Sequence, residues 1–133
     1  MKICSSGRHF FRNLDFDIVV SDLSSRALYA KGQYSVPSDT ACYPAKLMHG
    51  HIENLLDKGV TTIFYPCMSY NFDESKGDNH FNCPVVAYYP ELLASNVEKL
   101  KQVRYLYPYL DLAERKTFPE KKSGRRSKNI TLI

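Results

Sequence analysis

Residues 42–67 read CYPAKLMHGHIENLLDKGVTTIFYPC and contain the clearest structural signals of the chain. Its first half predicts a helix, because Pro44 is tolerated in a first turn and apolar side chains recur every three or four residues, namely Met48, Ile52, Leu55 and Leu56. Gly59 predicts the end of that helix. The apolar run VTTIFYP that follows predicts a buried strand. The stretch is therefore read as a helix followed by a strand.

The segments on the N-terminal side are shorter and less regular. FDIVV, residues 16–20, is a β-branched run that predicts a strand, and SSRALYAKG, residues 24–32, predicts one or two helical turns closed by Gly32. QYSVPSD, residues 33–39, predicts a short strand or a loop, because Pro37 has no N–H to donate to a sheet.

The segments on the C-terminal side continue the alternation. Residues 68–82 are polar and predict a long loop, PVVAYYP at 84–90 predicts a strand, and PELLASNVEKLKQ at 90–102 predicts a helix with one apolar side, formed by Leu92, Leu93, Val97 and Leu100. VRYLYP at 103–108 predicts the last strand. Strands that alternate with helices predict an α/β fold with a mainly parallel sheet and flanking helices.

Length and composition bound the class of protein. A chain of 133 residues has room for one domain, and none of its windows approaches 18 consecutive apolar residues, so no membrane span is expected. The N-terminal stretch MKICSSGRHFFRNLDF is too polar for a signal peptide. We therefore expect a soluble, cytoplasmic protein whose thiols are reduced.

The positive charge belongs to one end of the chain. The formal net charge is +4, and residues 121–133 alone contain five lysines and arginines and no acid. No aromatic residue is interspersed with these charges, which disfavours nucleic-acid binding by base stacking. We expect residues 119–133 to be a flexible basic tail and not a nucleic-acid site.

Three of the four cysteines suggest a site. Cys42, Cys67 and Cys83 each lie within two residues of a proline and at a predicted element boundary. Ligands of open α/β sheets gather beyond the carboxyl ends of the strands, and we expect the three thiols to converge there. A thiolate at Cys42 would be stabilised by the start of the helix. Separated, rigidly held thiolates suit an iron–sulfur cluster.

Two other interpretations of the cysteines stay open. Free cysteine is common as a small buried apolar residue, so the three could simply be packing residues. Zinc held by three cysteines and one histidine is the other, with His49, His51 or His80 as the histidine, although the chain has no CxxC pair.

Neighbouring polar residues give weaker signals. His49 and His51 are two residues apart, so on a helix they point in different directions and do not readily share a metal. Lys46 and His49 follow Cys42 along one stripe, where Lys46 would offset negative charge, and a solvated stripe explains the spacing equally well. Cys4 is given no role. The chain has no phosphate-binding glycine motif, no GxSxG and no HExxH.

The combination of ACYPAKLMHGH, IFYPC and DNHFNCP, with FDIVVSD and LYPYLDL, resembles a known family. From about residue 10 to 118 the chain is similar to the domain that accompanies the 2-hydroxyacyl-CoA dehydratase activators in the large CoA-substrate-specific enzyme activase proteins. That family is similar in turn to the cluster-bearing subunits of the dehydratases and to double-cubane cluster proteins, whose Rossmann-like domains hold iron–sulfur clusters and receive electrons from an ATP-hydrolysing activator.

The resemblance implies a site and a set of partners. It marks Cys42, Cys67 and Cys83 as ligands of a four-iron four-sulfur or larger cluster, and places Lys46, His49 and His80 in the motif, next to the ligands. Asn79 and Asn82 belong to the same motif. The partners it implies are an ATP-dependent activator module or other domains of the same protein, with a homodimer as a further expectation.

The function expected from all this is electron transfer. We expect an α/β domain at 10–118 that carries a cluster within an ATP-dependent reductase or dehydratase system and is not catalytic alone, in a chain that is a fragment of a larger protein. The alternatives are a structural or docking module without metal, and a zinc-stabilised domain.

Overall fold

A computed structural model describes residues 8–73, 75–112 and 131–132. The fold is α/β, as predicted. In chain order the elements are a helical turn α1 (8–12), α2 (Arg26–Gly32), a 3₁₀ helix (Gln33–Ser35), α3 (Tyr43–Asp57), β1 (Thr62–Phe64), β2 (Cys67–Tyr70), α4 (Pro84–Asn96), a second 3₁₀ helix (Glu98–Gln102), β3 (Arg104–Leu106), β4 (Tyr109–Asp111) and β5 (Thr131–Leu132).

The named strands all pair in parallel, which confirms the predicted sheet type. One sheet has the order β3-β1-β5 and the other pairs β2 with β4. Phe64 lies opposite Leu106 and Cys67 lies opposite Tyr109, so the register continues unchanged from the first sheet into the second. The pairs β1–β3 and β2–β4 are therefore one longer strand pair that is interrupted in the middle.

Two Tyr-Pro dipeptides cause the interruption. Tyr65-Pro66 and Tyr107-Pro108 face each other at the same level of the pair. The Tyr65 amide still donates to the Leu106 carbonyl at 2.9 Å, and the Cys67 amide donates to the Pro108 carbonyl at 2.9 Å. Pro108 itself has no N–H, so it cannot make the ladder bond that would lie between these two.

Helix α3 is as predicted. Cys42 is its N-cap residue, a proline follows in its first turn, and Gly59 adopts φ 72° just after its end. Ile52 and Leu55 are fully buried. The apolar face that the periodicity predicted is thus the face that packs.

The core lies between α3, α4 and one side of β1. Its buried members are Ala45, Ile52, Leu55, Val60, Ile63, Tyr89, Leu93, Val97 and Leu100. On the other side of β1, Phe64 contacts Phe11 with ring centroids 5.3 Å apart.

The strand predicted at 84–90 is wrong. Pro84 begins α4, which continues through Pro90 to Asn96, and the predicted helix at 90–102 is the second half of α4 followed by the 3₁₀ helix. The apolar run concealed a helical period, because Ala87, Pro90 and Leu93 are buried at spacings of three while Val86 and Tyr88 are exposed.

Two other strand predictions and one loop prediction fail. Residues 16–20 form no named strand and make one isolated bridge, at Asp17. Residues 68–70, predicted as loop, belong to β2, and β3 is not the last strand, because β4 and β5 follow it. Segment 33–39, predicted as a short strand or a loop, is a 3₁₀ turn followed by a loop.

Of residues 119–133, the structure describes Thr131–Leu132, which pair with β1, and the rest of that range lies outside the described residues. The boundaries 10–118 and 119–133 stay predictions. In the described part of the chain, every helix is too short or too polar to cross a membrane.

Candidate functional site

Two of the predicted site cysteines have the same local structure. Cys42 and Cys83 are the N-cap residues of α3 and α4, with backbone angles of −64°, 153° and −62°, 154°. Neither side chain makes a capping hydrogen bond, both residues are exposed, and a proline stands in each first turn. The fixed φ of proline favours this start of a helix and leaves each thiol facing outward.

Cys67 lies in a different environment. It is the first residue of β2, and its exposed fraction is 0%. Burial raises the pKa of its thiol, and a hydrogen bond with the Glu91 backbone partly offsets that rise. At neutral pH, Cys67 is a neutral thiol in the core.

The length of helix α4 shows how far Cys67 lies from Cys83 along the helix axis. Cys83 caps its start, whereas Cys67 lies beside Glu91, eight residues further along. At about 1.5 Å per residue this is roughly 12 Å along the helix axis. Cys42 also lies near α4, because it acts on Tyr89, a residue of that helix. Burial raises the pKa of Tyr89, and the charge of Cys42 raises it further.

The three thiols do not form a ligand set for one metal ion as they lie here. In the part of the chain that the structure describes, no three Cys, His, Asp or Glu side chains stand close enough together to hold a metal. The cluster ligands and the zinc alternative therefore receive no support from this geometry and stay predictions.

Lys46 contacts the loop that leads into α3. Its ammonium group donates to the Asp39 carbonyl at 2.8 Å and lies 3.8 Å from the Asp39 carboxylate. This contact fixes the residues before Cys42. The predicted stripe of Cys42, Lys46 and His49 does not form one surface, because His49 is buried.

His49 belongs to a directed chain of hydrogen bonds inside the protein. The Ser35 hydroxyl donates its single proton to the Gly32 carbonyl at 3.0 Å, so its oxygen must accept from His49 Nδ1 at 2.8 Å. His49 Nε2 is then an acceptor, and the Tyr89 hydroxyl, 3.0 Å away, donates to it. Burial lowers the pKa of His49 to about 4. His49 is therefore neutral, with its proton on Nδ1.

His51 makes a separate set of contacts on the next face of α3. Its Nδ1 lies 2.7 Å from Ser21 Oγ and its Nε2 lies 3.0 Å from Ser24 Oγ. Burial lowers the pKa of this imidazole. As predicted from their spacing, His49 and His51 point in different directions and share no partner.

Gly50, between the two histidines, is the point at which α2 crosses α3. A Cβ on Gly50 would lie 2.1 Å from the Leu28 carbonyl oxygen, and a Cβ on Gly32 would lie 2.2 Å from the Gly50 amide nitrogen. The close crossing lets His49 reach the segment after α2 and His51 reach the segment before it. The sequence HGH thus holds α2 against α3, a role that sequence reasoning missed.

The predicted residue His80 organises the loop between β2 and α4. His80 Nε2 is 3.6 Å from the Asp73 carboxylate, and its ring is 5.8 Å from that of Tyr70. Its carbonyl accepts from the Asn71 amide at 2.9 Å. His80 therefore helps to close the loop.

The two asparagines of the motif fold the same loop. Asn79 accepts from the Phe81 amide at 3.0 Å, and the Asn82 side chain donates to the Met68 carbonyl at 2.9 Å. The Asn82 amide donates to Ser69 at 3.0 Å. These bonds position the chain just before Cys83.

A buried carboxylate was also missed from the sequence. Glu53 is 3% exposed. Its carboxylate accepts a hydrogen bond from the Tyr34 hydroxyl and forms an ion pair with Lys99, whose Nζ lies 2.6 Å from Glu53 Oε2. The hydrogen bonds to Glu53 raise the pKa of the Tyr34 hydroxyl and the pKa of the Lys99 ammonium group. Glu53 thus ties α3 to both 3₁₀ helices.

The Tyr-Pro interruption leaves an open depression at the carboxyl ends of β1 and β3. Its volume is about 290 Å³, and it is lined by Phe64, Tyr105, Leu106, Tyr107 and Pro108. Parallel sheets bind ligands at this end. None of the three candidate cysteines lines it.

Comparison with known families gives one match. A family described as the CoA enzyme activase uncharacterised domain matches residues 4–131, which is nearly the whole chain. No curated protein and no solved structure matches significantly.

Proposed function

The chain belongs to the CoA enzyme activase domain family. We propose that it is the cysteine-bearing domain of an activase-type system and that it binds an iron–sulfur centre through Cys42, Cys67 and Cys83. The observation that carries the proposal is the matched pair of exposed N-cap cysteines, Cys42 and Cys83. Iron and sulfide can reach an exposed thiol directly, and thiolates are the ligands that iron–sulfur clusters take.

Cys67 is the proposed ligand whose position requires a further change. It lies beside Glu91, away from the start of α4, so a common centre requires β2 and the start of α4 to approach each other, or further ligands from another domain. Residues 71–82 form the loop between β2 and α4, and a different conformation of this loop would bring Cys83 toward β2.

The test is anaerobic reconstitution of the whole chain with iron and sulfide. We expect broad visible absorption and about four irons per chain, with loss of both in Cys42→Ala, Cys67→Ala and Cys83→Ala. Cys4→Ala is the matched control and should keep its iron. A colourless wild-type chain without bound iron contradicts the proposal. Zinc that remains after aerobic purification, without a visible band, supports the zinc-stabilised alternative instead.

A second candidate is a docking domain that positions other modules of the activase-type system without metal. The observation in its favour is that five aromatic side chains of the described residues are more than half exposed, namely Tyr34, Tyr43, Phe81, Tyr88 and Tyr109. Here the cysteine variants change stability alone, and replacement of Tyr88 and Phe81 by serine weakens association with an activator module. Unchanged association contradicts this candidate.

A further inference from the structure

We propose that Ser24 and His51 form a nucleophile–base pair, oriented by Ser21, that transfers the acyl group of a small ester or thioester to water. Two distances carry the inference: Ser24 Oγ is 3.0 Å from His51 Nε2, and Ser21 Oγ is 2.7 Å from His51 Nδ1. A nucleophile within hydrogen-bond reach of a base, with a third group on the other side of that base, is the arrangement that activates a serine hydroxyl.

The orienting group determines what the imidazole can do. When Ser21 Oγ accepts from Nδ1–H, the lone pair of Nε2 is free to take the proton of Ser24. Burial lowers the pKa of His51, which keeps the ring neutral at pH 7 and able to act as a base.

The other serine–histidine pair found among the described residues lacks this capacity. Ser35 and His49 are buried, and the Ser35 proton is donated to the Gly32 carbonyl, away from the imidazole. Ser24, in contrast, is exposed, and its neighbour Leu23 is 91% exposed.

The loop that holds Ser24 is fixed by its neighbours. The Asp22 amide donates to Asn54 at 2.9 Å, the Asp22 carboxylate pairs with Lys58 at 2.7 Å, and Ser25 caps α2 by accepting from the Leu28 amide at 3.1 Å. These contacts hold the residues on both sides of Ser24, so that its hydroxyl stays near His51 without a large entropic cost.

The reaction balances without a further reagent. Ser24 Oγ bonds to the acyl carbon while its proton passes to His51 Nε2, and the bond to the leaving oxygen or sulfur breaks as that group takes the proton. Water then adds to the acyl-serine, gives a proton to His51, and releases the acid as Ser24 Oγ is reprotonated.

Labelling of the full chain with diisopropyl fluorophosphate tests the proposal. We expect the adduct on Ser24 in the wild-type chain by peptide mass spectrometry, which needs no variant, and none on Ser35. His51→Gln should slow labelling at least roughly tenfold. Ser95→Ala is the control, because Ser95 is exposed and bonds only to the Glu91 carbonyl among the contacts described.

Turnover gives a second readout. After the exposed thiols are blocked with iodoacetamide, the wild-type chain should hydrolyse p-nitrophenyl acetate faster than Ser24→Ala, with the circular dichroism of the two unchanged. Absence of a Ser24 adduct, equal labelling of His51→Gln, or equal hydrolysis by Ser24→Ala would overturn the proposal.

Discussion

Gly32 and Gly50 face each other where α2 crosses α3, and each occupies a place in which a Cβ would overlap the backbone of the other helix. The contacts would be 2.2 Å from Gly32 to the Gly50 amide nitrogen and 2.1 Å from Gly50 to the Leu28 carbonyl oxygen. Both obstructing atoms belong to backbone, so a side-chain rotation cannot relieve the overlap.

The first prediction follows from this contact. Gly50→Ala should lower the free energy of unfolding by about 3 kcal/mol, because overpacking outweighs the gain of about 1 kcal/mol from the helix propensity of alanine. Denaturant titration at neutral pH measures it. Gly77→Ala is the control, since a Cβ there meets nothing within 4 Å, and it should change stability by less than about 0.5 kcal/mol. Equal stabilities of the two variants would contradict the close crossing.

Helix α3 could be predicted from the sequence, and α4 could not, for a local reason. In α3 the apolar residues keep a helical period between Pro44 and Gly59, whereas PVVAYYP is apolar all round and resembles a buried strand. A signal was present: Cys83-Pro84 repeats the cysteine and early proline that open α3. With that parallel, a helix start at 84 could have been proposed.

The tertiary roles of the site residues lie beyond sequence reasoning of this kind. The spacing of His49 and His51 correctly predicted that they diverge, but their partners are 14 to 40 residues away along the chain. The same is true of Glu53, whose two donors come from segments on either side. A contact between distant segments leaves no periodic trace in the sequence.

The second prediction concerns the protonation of His49. Because the Ser35 hydroxyl donates its proton to the Gly32 carbonyl, the His49 proton must be on Nδ1. Nitrogen-15 NMR of the imidazole at pH 7 should show the Nδ1–H form, and Tyr89→Phe should shift the Nε2 signal by removing its donor. The Nε2–H form in the wild-type chain would contradict the directed chain of hydrogen bonds.

The third prediction is the pH dependence that His49 produces. Its pKa falls from 6.5 in the unfolded chain to about 4 in the folded one, so as the pH drops the unfolded state takes up a proton first. The part of the free energy of unfolding that depends on neutral His49 is therefore complete above pH 6.5 and is lost as the pH falls toward 4. At pH 5 the loss caused by this residue is about 2 kcal/mol. Urea midpoints at pH 7.5 and pH 5 measure the loss.

His49→Gln provides the comparison for that measurement. The variant is less stable at both pH values, because an amide does not reproduce both imidazole bonds, but the difference between its two midpoints should be smaller than in the wild type. His51, whose pKa is also lowered by burial, contributes a remaining slope of the same sign. An unchanged slope in His49→Gln would show that His49 is not the titrating group.

The fourth prediction concerns the buried carboxylate. Lys99→Ala should destabilise the protein by about 1–2 kcal/mol, since Glu53 loses its cation and, among the described residues, keeps Tyr34 as its donor, while the half-exposed position of Lys99 limits the cost. Lys101→Ala, an exposed lysine in the same 3₁₀ helix, should cost less than about 0.5 kcal/mol. Thermal unfolding of both variants tests the difference, and similar melting temperatures would contradict it.

The fifth prediction separates the three cysteines by their reactivity in the metal-free chain. In a Cys4→Ser background, Cys42 and Cys83 should react rapidly with Ellman's reagent because both are exposed, whereas Cys67 should react only after unfolding, since its thiol is buried and its pKa is raised. Mass spectrometry of the alkylated peptides assigns each phase. Cys67→Ala should leave both rapid phases intact and abolish the slow one. If Cys67 instead reacted as fast as Cys83 in the native chain, β2 would have to open to solvent on the timescale of labelling, and the packing of Cys67 against α4 would be wrong.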